Sequence, residues 1–137
     1  MRKNTPVVLP LPPTKMTVVQ RVDTLVIPDI FFATASYELS PKSYNLLDSF
    51  ANKLTTAAID SVVIEGHTDS VGKLSYNISL SLNRSVSVKK YLSDKVPGLQ
   101  NKTTTRGYAF ARPVATNRTP QGRQKNRRVE IFVYRRE

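Results

Sequence analysis

Residues 62–84, VVIEGHTDSVGKLSYNISLSLNR, constrain the fold more than any other stretch of the chain. Val62-Val63-Ile64 is a short apolar run of β-branched residues and reads as a buried strand within Ser61–Glu65. Gly66-His67-Thr68-Asp69-Ser70 breaks that run with a polar turn, and Gly72 supplies a second place to bend. A helix is expected from about Ser75 to Lys95, stopped by Pro97-Gly98. Leu80, Val88 and Leu92, with Tyr91, form its expected buried stripe, while Lys89, Lys90 and Lys95 face water. The unit puts one carboxylate, Asp69, on a loop and one guanidinium, Arg84, on the helix that follows. A fixed acid and a fixed base facing one crevice suit a ligand carrying both an ammonium and a carboxylate. Nothing in the stretch is arranged for bond-breaking chemistry.

The flanking sequence supplies further elements. Residues 1–15, MRKNTPVVLPLPPTK, hold four prolines between positions 6 and 13 and read as a linker or disordered arm. Residues 16–137 then form one domain. Val18–Val26 is a strand, Pro28 marks a break or an edge, and Ile30-Phe31-Phe32 re-enters the core. Ser40 caps a helix with Pro41 at its first position. Tyr44, Leu47, Phe50, Ala51 and Leu54 recur at three- and four-residue steps along it, and it ends near 56–58. Thr103–Tyr108 is a strand. Residues 109–126 show no clear periodicity and read as a long functional loop. Arg127–Tyr134 is the last strand, with Val129, Ile131 and Val133 alternating against Arg128, Glu130 and Phe132. The element order β–β–α–β–α–β–β predicts an α/β (α+β) two-layer sandwich, two main helices on a mixed four- to five-stranded sheet.

Charge narrows the partners. The 137 residues carry a formal net charge of +11. Ten of the basic residues lie from Lys102 onward, against only Glu130 and Glu137. A basic end invites nucleic acid, anionic lipid or an anionic cell-wall polymer, or simply forms a solvated rim. Aromatic residues are not interleaved with the basic ones, which argues against an RNA-binding surface. There are no cysteines, so disulfides and thiolate zinc sites are excluded. No run is long enough to span a bilayer, and no apolar signal core follows Met1. Work outside the cytoplasm therefore requires an anchor or export signal beyond this stretch.

Few residues suggest chemistry. His67 is the only histidine, with no second His, Cys or carboxylate pair at ligand spacing, so no metal or cofactor is expected. Ser70 lies on no recognisable nucleophile elbow, and two-carboxylate machinery is not visible, so the chain is not expected to be an enzyme. His67 is expected to pack and hydrogen-bond inside the turn. Taken alone, Asp69 reads as an Asx-turn former and Arg84 as an exposed helix residue.

Four motifs taken together say more. GHTDS-VG at 66–72, the pair Tyr76-Asn77, LSLNR at 80–84 and NRRVEI at 126–131 resemble the OmpA-like domain. This is the peptidoglycan-binding module of outer-membrane proteins, peptidoglycan-associated lipoproteins and flagellar stators. The resemblance runs from Ile27 to Tyr134 and implies non-catalytic binding of diaminopimelate in the peptidoglycan stem peptide. By that resemblance Asp69 accepts from the ligand ammonium and Arg84 grips its carboxylate bidentately. Free loop amides near Thr34 and Thr68, with Asn77, complete the pocket. One of Arg127 and Arg128 contacts the ligand or braces Asp69, and the other faces solvent. Ala33 stands where many members have an acid, which weakens one peripheral contact. The resemblance also implies a periplasmic, wall-associated location near the outer membrane and membrane attachment only through a segment not in this stretch; it leaves the oligomeric state open between monomer and homodimer, since stator-type relatives dimerise and others do not. The alternative is a basic nucleic-acid-binding or protein-interaction module of the same fold.

Overall fold

The structure is a computed structural model that describes residues 20–55 and 58–136. The expected arm at 1–15 lies outside the described residues. The elements run β1 (Gln20–Pro28), α1 (Ser43–Leu54), β2 (Ile59–His67), α2 (Leu74–Lys95), β3 (Thr103–Gly107), α3 (Pro120–Asn126) and β4 (Arg128–Arg136). The strands form one open mixed sheet in the order β1-β4-β2-β3. β4 is antiparallel to both β1 and β2, while β2 and β3 are parallel. A parallel pair cannot be closed by a tight turn, and α2 is the crossover that joins it. The two-layer α/β architecture is as expected, with four strands and three helices.

The apolar core lies between the sheet and the two long helices. Ile64 of β2, Ile131 of β4, Leu47 of α1 and Val88 and Leu92 of α2 are fully buried there. The alternation read along Val129, Ile131 and Val133 holds, and all three face this core. Tyr44 is a rim residue instead, half-exposed and stacked on Tyr91 with ring centroids 5.4 Å apart.

Several element bounds differ from expectation, each for a local reason. Ile30–Phe32 is not a strand. After Pro28 the chain turns through a single 3-10 turn, Asp29–Phe31, and Phe32 meets only Leu39 in an isolated bridge. Helix α1 starts at Ser43, not Ser40. The Ser40 carbonyl, not its hydroxyl, takes the first turn's bonds, accepting from Ser43 N at 3.0 Å and Ser43 Oγ at 2.8 Å. β2 runs on through Gly66 and His67, which pair with Val129 and Arg128, so the turn begins at Thr68. Residues 120–126, read as loop, form α3. Thr119 caps it, accepting from Gly122 N at 3.0 Å, and Pro120 opens it.

Helix α2 departs from its expected stripe most. Its first half buries Asn77, Ser81, Arg84 and Ser85, and Leu80 is only partly covered. The cause is how closely it sits on the sheet. A Cβ on Gly66 would lie 1.9 Å from the Ser81 carbonyl oxygen, and one on Gly107 would lie 2.5 Å from Leu82 N. Backbone meets backbone there, so the helix face must be small rather than leucine-rich. This close seat draws Arg84 in toward the ends of β1, β2 and β4.

Candidate functional site

The site lies where β1 and β2 end and β4 begins. Asp69 follows β2 directly. Its Oδ1 accepts from Val71 N at 2.9 Å, the Asx turn expected from sequence. Gly72, with φ of 90°, bends the chain onward, and Asn77 Nδ2 donates to the Val71 carbonyl at 2.8 Å. Asn77 thus ties the turn to α2. The Thr68 amide donates to the Ala109 carbonyl at 2.8 Å, which corrects the expectation that it is free for a ligand.

Arg84 is 2% exposed. Its Nε donates to the Ser36 carbonyl at 2.7 Å and its Nη1 to Asp29 Oδ1 at 2.6 Å. The guanidinium carbon sits 4.6 Å from the centre of the Phe32 ring. Arg84 is therefore a fixed buried group, not an exposed helix residue. Arg127 donates from Nε to Asp29 Oδ2 at 3.2 Å and from Nη1 to Asp69 Oδ2 at 2.6 Å. Burial works against its charged form, but the hydrogen bonds it donates to Asp69 and then Asp29 prevail and raise its pKa. Arg84, Asp29, Arg127 and Asp69 thus form a chain of alternating charge whose formal sum is zero.

These four groups line one cavity of about 290 Å³, together with Thr34, Ala35, Thr68, Tyr76 and Asn77. The amides of Thr34 and Ala35 have no acceptor among the described residues. Ala35 takes a left-handed conformation, φ 50°, which turns the 33–36 loop over the cavity, and Tyr76 Oη reaches its carbonyl at 3.4 Å. Six of the seven residues singled out in the sequence meet here. Arg128 does not. Adjacent residues entering a strand point to opposite faces, so Arg128 leaves the cavity to Arg127. It is not solvent-facing either: it is buried, bonding Glu130 Oε2 at 2.8 Å and the carbonyls of Asn126 and Arg112. Asp29 is the residue the sequence reading missed, and the only visible signal for it was an acid just after a strand-ending proline.

A second polar cluster occupies the face of the sheet away from α1 and α2. His67 is buried and stacks on Tyr108 at 5.5 Å, but its ring nitrogens have no hydrogen-bond partner among the described residues. The expected hydrogen bond within the turn is absent there because His67 is the last residue of β2. Burial first, then the Arg128 charge, pushes its pKa from 6.5 to about 4. Its Nε2 lies 3.7 Å from both Glu65 Oε1 and Glu130 Oε1. Folding thus brings together a carboxylate pair that linear spacing hides, and the three donors lie within 4.8 Å of one another. Arg128, Arg112 and Arg106 approach the same carboxylates at 2.8, 3.9 and 4.0 Å. Three guanidiniums against two carboxylates oppose a bound cation.

The sequence profile described as the OmpA family matches residues 31–127. Outer membrane protein A of Bordetella avium is 39% identical over 106 residues, covering 77% of this chain and 54% of that protein. The peptidoglycan-binding protein ArfA of Mycobacterium tuberculosis is 40% identical over 105 residues, covering 76% of this chain and 32% of that protein. The chain thus spans about half or less of the length of these relatives. Among solved structures, the cell wall anchor of the T6SS from Pseudomonas aeruginosa superposes with a TM-score of 0.74 at 30% identity. It covers 89% of this chain and 90% of its own.

Proposed function

The chain belongs to the OmpA family, a non-catalytic family, and from that membership we propose that it holds an envelope protein to peptidoglycan by binding the diaminopimelate of the stem peptide. The observation that carries this reading is the alternating chain Arg84–Asp29–Arg127–Asp69 around a cavity of about 290 Å³. The far end of diaminopimelate carries an ammonium and a carboxylate on one carbon. A site with two fixed carboxylates and two fixed guanidiniums offers both partners without leaving a net charge buried. Asp69 accepts from the ammonium. Arg84 meets the carboxylate with its Nη2 hydrogens, since Nε and one Nη1 hydrogen already serve Ser36 and Asp29. The Thr34 and Ala35 amides add neutral donors beside it.

The relatives support the wall as the partner, since one is named for binding peptidoglycan and another is described as a cell wall anchor. The outer-membrane relatives support a periplasmic location. The charge pattern gives little support to nucleic acid. Arg106, Arg112, Arg127, Arg128 and Arg135 each face an acid, Arg135 bonding Asp23 at 2.6 Å, so much of the basic C-terminal third is not an open cationic surface.

Calorimetric titration tests the reading. A diaminopimelate-containing stem peptide should bind, and the otherwise identical lysine peptide, which keeps the ammonium but lacks the carboxylate, should bind at least tenfold more weakly. Equal binding of the two would sink the assignment of Arg84, and no binding of either would sink the function.

A further inference from the structure

Arg127 is a partition between two cavities. On one side is the 290 Å³ site. On the other, on the face of the sheet away from α1 and α2, lies a groove of about 540 Å³ that Arg127 also lines. Its floor is Val26 and Pro28 of β1, and its wall is α3 with Gln121, Gln124 and Lys125; Val114 closes one side. Val26 and Val114 are 46% and 60% exposed, an open apolar surface beside a polar rim. The groove is within the size range of ligand pockets, roughly 300–1,000 Å³.

The wall of the groove is held in place. Asn126, fully buried, accepts from the amides of Val114 and Ala115 at 2.8 and 3.0 Å and donates to the Ala115 carbonyl and Asn117 Oδ1 at 2.9 and 2.8 Å. Val114 and α3 are thereby fixed to the start of β4. The groove's charge is positive. Arg127 is balanced by Asp29 and Asp69 and Arg128 by Glu130, which leaves the exposed Lys125 as the cation that sets the groove's sign.

We propose that this groove is a second subsite for the same ligand and seats the stem peptide on either side of its diaminopimelate. The inference rests on the function proposed above. Continuity is the first argument, because a peptide whose side-chain end fills the smaller cavity passes Arg127 and meets the groove next. Chemistry is the second. The stem peptide is built of alanine methyls, backbone amides and free carboxylates. Methyls match Val26, Pro28 and Val114, amides match Gln121 and Gln124, which both donate and accept, and carboxylates match Lys125. No aromatic ring lines the groove, so it has no platform for stacking a sugar ring.

The test compares free diaminopimelate, the stem tetrapeptide and the disaccharide-tetrapeptide by calorimetry, on the wild type and on Val114→Asp and Lys125→Glu. Both substitutions change exposed side chains outside the smaller cavity. The wild type should bind the tetrapeptide at least tenfold tighter than free diaminopimelate. Each variant should lose most of that gain and keep its affinity for free diaminopimelate. Equal affinity of the wild type for the two ligands overturns the subsite and leaves the smaller site standing, as do variants that bind the tetrapeptide like the wild type. A gain that arises only with the disaccharide, and that the variants remove, overturns the peptide assignment in favour of the glycan. Binding of neither small ligand overturns the underlying function and this subsite with it.

Discussion

Arg84 and Asp29, 55 residues apart, meet at 2.6 Å, and the same aspartate holds Arg127 through its other oxygen. One carboxylate thus orients both guanidiniums. Asp29→Asn keeps the shape and removes the charge. We expect affinity for the diaminopimelate peptide to fall tenfold or more, and unfolding free energy to fall by about 1–3 kcal/mol, since an amide has one acceptor oxygen where Asp29 uses two and so turns an NH2 toward one guanidinium. Lower stability with unchanged affinity would make Asp29 a purely structural residue.

Arg84→Lys tests geometry rather than charge. One ammonium cannot reach the Ser36 carbonyl, Asp29 and a ligand carboxylate with the planar spread of a guanidinium. Asp69→Asn tests the opposite pole. Each should weaken the diaminopimelate peptide roughly 10- to 100-fold, the equivalent of one charge-assisted bond. In addition, Arg84→Lys should abolish the preference over the lysine peptide, whereas Asp69→Asn should weaken both peptides. A retained preference in Arg84→Lys would contradict the assigned pole.

His67 should give stability a pH dependence. Its folded pKa is about 4 against 6.5 for the ordinary imidazole. Between those values the unfolded chain binds a proton that the folded chain does not, so stability rises with pH through the window and is lost as pH falls from about 6.5 to 4. The loss is about 1.4 kcal/mol per pH unit, on the order of 3 kcal/mol across the whole window. Urea unfolding at pH 7, 6 and 5 should show this slope in the wild type and a shallower one in His67→Gln. Identical slopes would show that the imidazole is not the titrating group.

Gly66→Ala should lift α2 off the sheet. The added methyl would lie 1.9 Å from the Ser81 carbonyl oxygen, a backbone atom that only a shift of the helix can move. Overpacking of this kind costs about 1–3 kcal/mol or more. Because Arg84 rides on α2, affinity for the diaminopimelate peptide should fall with stability. Thermal unfolding and titration on one sample check both, and an undisturbed melting temperature would refute the close seat.

The strand–turn–helix at 62–84 was legible because its signals are local: an apolar run, a glycine-bounded polar turn, and a terminated helix. The pairing of Asp69 with Arg84 across one cavity was legible only through the ordered motifs, since each residue alone has an ordinary reading. Asp29 was not legible, because its role arises from contacts with residues 55 and 98 positions away. Helix α3 was hidden by its length and composition. PQGRQKN has no apolar periodicity, although Thr119-Pro120 is a start signal of the same kind as Ser40-Pro41. Ser40-Pro41, in turn, overcalled the start of α1, because a serine–proline pair also suits a plain turn. Arg128 was misplaced although strand alternation puts it beside Glu130 rather than Arg127. The close seat of α2 was hinted at by Gly66, Ser81 and Gly107, but small residues signal close approach only once their partner is known.

The ladder between β1 and β4 has a mechanical consequence. β1 ends at the site with Pro28, while its Gln20 end lies at the far edge, opposite Arg136; β4 starts at the site with Arg128. Tension between Gln20 and a ligand gripped by Asp69, Arg84 and Arg127 pulls β1 and β4 in opposite directions along their own axes. The load therefore falls across the whole run of paired residues at once, in shear, instead of peeling them one rung at a time. A module wired this way resists a steady pull along the sheet far better than a pull applied sideways at Arg136, where the same rungs open in turn.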